Sequence, residues 1–508
     1  MSKLRWVVAF LLLVLVIPVQ SGTAGAEPNI CKNRANNTPR KMMDCVTLEG
    51  VREHQAALQA IADANGGTRF AGTPGHDDSV QYVVDTLEAA GYSPTLQEFD
   101  YLAFAVSGPS ALQQIAPTPT TYVEDVDFGI IDQSDPGDVT AAVTPVGIEL
   151  GEGNTTTSAC EPEDFDGFPQ GNIALLQRGV CTFELKAENA AAAGASGVVI
   201  MNQGNTPDRT GIPPVTLSAN NTSGIPVIGV TYQLGADLSA IAGLQMRVFA
   251  NSVREIKTTA NVIAETDSGR SDNVVMVGAH LDSVFAGPGI QDNGSGSAAI
   301  LEVAEQMANV HPNNKVRFAW WSAEESGLVG STNYVNSLSE DELGDIALYL
   351  NFDMIGSPNF VRFVYDGDGS TFGTAGPDGS AAIEASFNQF YAERTLAFEA
   401  TAFDGRSDYG PFIAVGIPAG GLFTGAEVPK TAEQVLIYGG TEGVAYDHCY
   451  HQACDTFDNV DLGVLDLNSD SIANAVIKYA KSTESVNGVH GNGHHQAPAA
   501  AAAAEATS

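Results

Sequence analysis

The stretch Asn273–Ala299, NVVMVGAHLDSVFAGPGIQDNGSGSAA, decides the fold. Val274 to Ala279 is a short apolar, β-rich run of the kind that forms a buried strand. Ionisable chemistry begins abruptly where that strand should end, at His280 and Asp282. Asp292 comes twelve residues after His280, followed by Asn293, a Gly/Ser turn and an apolar-periodic segment, Ala298 to Ala308, that should be helical. In open α/β sheets, sites form in the crevice beyond the carboxyl ends of the strands. An imidazole and a carboxylate delivered there are suitable zinc ligands.

Two later segments repeat this logic. The strand-like run Val316 to Trp321 ends in Ser322-Ala323-Glu324-Glu325-Ser326-Gly327, and Ile346 to Phe352 ends at Asp353 in NFDMIGSP. One such strand end could be a salt-bridged loop. Three of them, with a late Cys-Tyr-His, make a constellation.

Upstream, Leu48 to Ala64 has helical spacing and stops at Asn65-Gly66-Gly67. The turn-like Gly72-Thr73-Pro74-Gly75 precedes a second helix, about Asp77 to Ala90, and Thr95 to Phe99 reads as a strand. From about Ser107 the character changes. Residues 107–252 are richer in Pro, Thr and Gly and carry short β-like runs, among them Val146 to Leu150 and Ile225 to Val230. Ile173 to Phe183, then a helix through Lys186, Ala190 and Ala193, then the strand Gly197 to Ile200, stand in its middle. No acid/base pair or metal-spaced cluster occurs there, so the segment is a separate β-rich module interrupting an α/β domain, residues 27–106 and 253–481. The remainder, 482–508, is Gly/His/Ala-rich and expected to be a disordered tail, where His490, His494 and His495 are solvated.

Residues 1–26 read as an export signal. Lys3 and Arg5 precede the apolar run Val7 to Val19, and Ala24-Gly25-Ala26 offers a small-residue cleavage site. The run is short for a membrane span, and no other apolar stretch is long enough, so an integral membrane protein is not expected. Cleavage would leave 21 basic against 61 acidic side chains, a net charge of −40. Such a surface repels nucleic acid and anionic membrane. Six cysteines in an exported chain suggest disulfides, and proximity favours Cys31–Cys45, Cys160–Cys181 and Cys449–Cys454.

Zinc hydrolysis needs ligands, a polarised water and a group to take its proton. His280, Asp292, Glu325, Asp353 and a late histidine make five ligands, too many for one tetrahedral ion and suited to two ions sharing Asp292. Glu324 and Glu325 are adjacent, so on a loop their side chains diverge; one can bind metal while the other serves as general base. Asp282 is placed to orient the site from behind the ligands. Spacing alone leaves His448 and His451 open as the late ligand, although a Cys449–Cys454 bridge would hold His451 still. Tyr450 offers a phenolic donor to a developing oxyanion.

His280-x-Asp282, Gln291-Asp292-Asn293-Gly294-Ser295-Gly296, Ala323-Glu324-Glu325-x-Gly327, Asn351-x-Asp353-Met354 and Cys449-Tyr450-His451-x-x-Cys454 resemble the secreted two-zinc aminopeptidases of the bacterial leucyl aminopeptidase type. The similarity reaches upstream to Asn65-Gly66-Gly67, Arg69 and Gly72–Gly75. Asn172 to Ile200 is similar to a protease-associated domain, a common insert in relatives of the aminopeptidase Y kind. The resemblance implies a three-layer α/β/α domain with a mainly parallel mixed sheet, acting on peptide or protein N-termini. It implies that His280 and Asp353 hold one zinc, Glu325 and His451 the other, and Asp292 both, with Glu324 as base. It further implies that Arg406 contacts substrate and that Met354 and Phe423 line an apolar pocket. Asp466 and Asp470 fall where some relatives bind calcium, but Cys45 stands at the matching N-terminal position, which argues against it.

No Gly-x-Ser-x-Gly and no His-Glu-x-x-His occurs. A carboxypeptidase or dipeptidase on the same scaffold would need more cationic groups, with Arg406 alone suggestive. A glutaminyl-cyclase-like enzyme would use one zinc, and a receptor-like relative should have lost ligands that are all present here.

Overall fold

The computed structural model describes Cys31 and residues 34–489, apart from Pro214 and Ala219. The expected export signal and residues 490–508, with His490, His494 and His495, lie outside the described residues.

Two eight-stranded sheets organise the chain. The first runs Thr95–Val106, Ser252–Glu265, Asn314–Trp321, Arg270–His280, Ile346–Phe352, Ala419–Phe423, Phe363–Tyr365 and Glu399–Thr401. Its four middle strands are mutually parallel, and Ser252–Glu265 on one side and Phe363–Tyr365 on the other join them antiparallel. Arg270–His280 lies at the centre, which is why its residues from Asn273 to His280 are all buried. Alternation along a strand sends side chains to opposite faces. Val275, Val277 and Ala279 accordingly pack with the helices Leu48–Ala64, Pro74–Ala90, Gly294–Met307, Ser380–Glu393 and Leu462–Lys481. Val274 and Met276 pack on the other face against Tyr334, Val335 and Phe412, from Val329–Ser337 and Tyr409–Ala414. This is the three-layer α/β/α arrangement with a mixed sheet.

The second sheet belongs to the insert. Its order is Thr120–Thr121, Ala111–Ala116, Gln245–Ala250, Gly137–Pro145, Ile173–Gln177, Gly197–Met201, Val227–Val230 and Phe128–Ile130. The chain leaves the first sheet at Val106 and re-enters it at Ser252, and those two residues face each other at the end of a twelve-residue antiparallel ribbon that begins at Thr95↔Ile263. Arg254 ties the ribbon to the insert through Asp135 at 3.0 Å.

Several elements differ from their sequence expectation. The second helix starts at Pro74, inside the segment read as a turn, because proline at the first helical position gives up an N–H that has no partner anyway. The helix expected from Ala298 starts at Gly294, capped by the Asn293 side chain, which accepts from Gly296 N at 2.9 Å. Gly296 is required there, since a Cβ would lie 2.2 Å from the Phe352 carbonyl oxygen. Val146 to Leu150 is not a strand. The ladder ends at Pro145, Gly147 is left-handed, and side chains satisfy the backbone instead: Gln177 accepts from Glu149 N and donates to Glu149 O. The tail does not begin at Ser482, because Glu484–Asn487 forms a short helix and Asn487 donates to the buried Asn273 side chain at 2.8 Å. The register of those polar side chains is not visible in composition.

Candidate active site

The three parallel strand ends deliver their ionisable groups to one cavity of about 330 Å³. His280, Asp292, Glu324, Glu325, Asp353 and His451 all line it, together with Met354, Arg406, Phe423 and Tyr450. No residue of 107–252 is among the lining.

Each group is fixed from behind. His280 Nδ1 donates to the Asp282 carbonyl oxygen at 3.1 Å, which leaves Nε2 facing the cavity. The Asp282 carboxylate accepts from the backbone N–H groups of Glu324 and Glu325, at 3.2 and 3.4 Å, and so holds the glutamate loop against the histidine. The backbone N–H groups of Gln291 and Asp292 donate to the two oxygens of Asp455, both at 2.9 Å. Fully buried Arg69 donates to the carbonyls of Leu281, Pro288 and Gly289 and props the loop between His280 and Asp292. The Cys449–Cys454 disulfide closes the loop that carries His451, whose ring stacks on Tyr450 at 3.8 Å. Cys31–Cys45 and Cys160–Cys181 are also bridged. Of the two open histidines, His451 faces the cluster, and His448 is absent from the cavity lining.

Asp292 divides the cluster in two. Its Oδ1 lies 3.2 Å from His280 Nε2, which is also 3.3 Å from Asp353 Oδ1. Its Oδ2 lies 3.3 Å from His451 Nε2, which is also 3.0 Å from Glu325 Oε2. Glu324 groups with His280 and Asp353. Glu325 Oε1 and Asp353 Oδ1 are buried without a hydrogen-bond partner, as groups reserved for a cation would be. Burial disfavours imidazolium, yet Asp353 and Glu324 hold His280 well above its ordinary pKa, and Asp292 and Glu325 hold His451 at about 10. Burial, with Asp292 next, pushes the Glu325 carboxyl up to about 7. Burial also pushes Tyr450 well up, so its hydroxyl remains a donor. This donor set, two imidazoles and four carboxylates lining one pocket, fits zinc.

Arg406 sits at the mouth, its Nη1 2.9 Å from Glu427 and its Nη2 donating to the Tyr450 hydroxyl at 3.2 Å. Met354 is buried, and Phe423 is half-buried and stacked on Phe363. Sequence reasoning missed Asp455, although it directly follows Cys454. It also missed Ser407, which donates to Asp353 Oδ2 at 2.6 Å, and Asp408, a buried carboxyl pushed up to about 7 by burial. Calcium at Asp466 and Asp470 gains no support. Cys45 is spent in its disulfide, and among the described residues no histidine, cysteine or acidic side chain completes a group of three with those two aspartates.

Residues 261–476 match peptidase family M28, and residues 139–238 match the PA domain. An aminopeptidase of Pseudomonas aeruginosa is 52% identical over 461 residues, covering 91% of this chain and 86% of the relative. Leucine aminopeptidase 2 of Trichophyton rubrum is 40% identical over 475 residues, covering 93% and 92%. Among solved structures, the aminopeptidase from Aneurinibacillus sp. strain AM-1 superposes with a TM-score of 0.63 at 26% identity, over 87% of this chain and 96% of that one. A zinc aminopeptidase from Bacillus subtilis gives 0.58 at 25%, over 86% and 96%. The chain belongs to peptidase family M28 and is a zinc metallo-aminopeptidase with a PA domain inserted in its catalytic fold.

Proposed function

We propose that the protein is exported and uses two zinc ions, with Asp292 between them, to release large apolar residues from free N-termini of peptides. The observation that carries this is the division of Asp292, each oxygen facing a different histidine that is in turn paired with a different carboxylate. His280 and Asp353 would hold one ion, Glu325 and His451 the other. The bound metals supply Lewis acidity to the scissile carbonyl and the attacking water. Glu324 accepts the water's proton and passes it to the leaving amine. The Tyr450 hydroxyl donates to the oxyanion as it forms. Glu324 and Asp353 also receive the protonated α-amine, and Arg406 contacts substrate at the mouth. Met354 and Phe423 receive the first side chain, whose burial contributes about 1.5–3 kcal/mol for a leucine-sized group. The 107–252 module governs access or substrate reach. Export is supported by the basic, apolar and small-residue sequence of residues 1–26 and by three disulfides. Among the described residues no helix is long and apolar enough to cross a membrane.

Leucyl, glutamyl and acetyl-leucyl p-nitroanilides compared under identical conditions test the reading. The leucyl compound should be cleaved, the glutamyl one at least about tenfold more slowly, and the acetylated one not at all, since a blocked amine leaves buried carboxylates unpaired. Equal cleavage of the acetylated compound would replace the aminopeptidase with an endopeptidase or acylase.

A further inference from the structure

A second carboxylate cluster stands apart from the proposed zinc ligands, in the loop after Phe363–Tyr365, the strand next to the sheet's edge. Asp366 and Asp368 lie on the loop and Glu384 on the helix Ser380–Glu393, and one oxygen from each is within 4.8 Å of the other two. Asp366 is 0% exposed. Its Oδ2 accepts from the backbone N–H groups of Thr371 and Phe372, at 3.1 and 2.8 Å, while its Oδ1 is buried with no hydrogen-bond donor. Asp368 Oδ1 accepts from Ser370 N at 2.8 Å. Glu384 accepts from Asp368 N and from the Asn388 side chain, both at 3.1 Å. Residues 363–393 contain no lysine, arginine or histidine, and no ion pair among the described residues reaches the three carboxylates. A buried carboxylate without a counter-charge is strongly unfavourable, and three together repel one another.

We propose that Asp366, Asp368 and Glu384 hold a calcium ion. The donors are all oxygen, with no imidazole or thiolate, which selects a hard cation, and carboxylates from an irregular loop and a facing helix suit calcium's loose six-to-eight coordination better than the strict octahedron of magnesium. The site is independent of the zinc reading and distinct from Asp466 and Asp470. It also touches the catalytic cavity indirectly. Asp366 N donates to Thr401 O at 2.8 Å, and neighbouring Tyr365 stacks on Phe403 at 5.1 Å. Tyr365 and Thr401 both line the cavity. The ion thus braces one wall of the pocket.

The test is calorimetric titration of calcium chloride into the zinc-loaded full chain, freed of calcium beforehand, with thermal unfolding alongside. Binding with a Kd of about 10⁻⁴–10⁻³ M or tighter is expected. At ten times that concentration Tm should rise by roughly 3–5 °C. Asp368→Ala, at an exposed position, and the isosteric Glu384→Gln should each weaken binding at least about tenfold, while Asp470→Asn leaves it unchanged. The proposal is overturned if wild type binds no calcium, if both loop variants bind as wild type does, or if only Asp470→Asn loses binding. An equal rise in Tm with magnesium, in wild type and Asp368→Ala alike, would be charge screening and would overturn it too.

Discussion

Ser407 sets the direction in which Asp353 presents its carboxylate. A chain of donors leads to it: Trp321 Nε1 to the Tyr349 hydroxyl, that hydroxyl to Asn351 Oδ1, Asn351 Nδ2 to Ser407 Oγ, and Ser407 Oγ to Asp353 Oδ2. Groups that orient metal ligands from behind are typically worth about 10–100-fold in metal affinity. Ser407→Ala should therefore weaken zinc retention by about that factor, read by competition with a chromophoric chelator. Unchanged affinity would mean that packing alone orients Asp353. Glu324→Gln keeps the shape of the side chain and removes the proton acceptor. It should retain two zinc ions by metal analysis and lose at least about 10²–10⁴-fold in turnover. A near-normal rate would move the base elsewhere. His280, Asp292, Glu324, Glu325 and Asp353 were legible in the sequence because each follows an apolar run or a glycine turn, whereas spacing alone did not choose between His448 and His451. Ser407 and Asp455 were not, because they are ordinary loop residues whose partners lie 54 and 163 positions away.

Where the helices Leu48–Ala64 and Gly294–Met307 cross, His54 Nε2 lies 3.1 Å from Glu305 and 3.6 Å from Glu302. Its Nδ1 is 2.8 Å from the Tyr82 hydroxyl. Burial disfavours its charged form, but the adjacent carboxylates of Glu302 and Glu305 outweigh this and raise its pKa from 6.5 to about 10. A raised histidine stabilises the fold fully below its unfolded pKa and progressively less as the pH climbs toward its folded one. His54→Gln should thus lower Tm by roughly 3–10 °C at pH 6.5, and by much less at pH 10. A deficit that stayed constant across that range would mean His54 acts by packing, not charge. Helices of this kind were readable from periodicity. Their true ends were not, because Pro74 and Gly294 begin helices only where the neighbouring backbone leaves room, as the close approach of Gly296 to Phe352 shows.

At the scale of the whole molecule, the insert and the catalytic sheet are joined through one ribbon, and no insert residue lines the cavity. Replacing 107–251 with a two-residue turn should leave the hydrolysis of leucyl-p-nitroanilide within about threefold of normal, because Val106 and Ser252 are already opposed as a hairpin requires. Hydrolysis of long peptides should change more. Abolished chemistry on the small substrate, with zinc and fold intact, would give the insert a catalytic part. A shift in composition at Ser107, one residue past the end of Thr95–Val106, was visible in the sequence. The arrangement of the insert's sheet was not, because its strands are short and some of its backbone is satisfied by side chains such as Gln177.

The ribbon has a consequence for how the chain comes off the ribosome. Among the described residues Thr95–Val106 is paired only with Ser252–Glu265, so 145 further residues must be made before its partner exists. At about 5–20 residues per second that interval is roughly 7–30 s. For that time the first helices of the catalytic domain wait with an open strand edge, while the whole insert has emerged and can close its own sheet. The PA domain is thereby the first finished unit of a nascent chain whose catalytic half is assembled last. Ribosome-bound chains stalled beyond residue 300 should yield a protease-resistant core from the insert before any from the flanking halves.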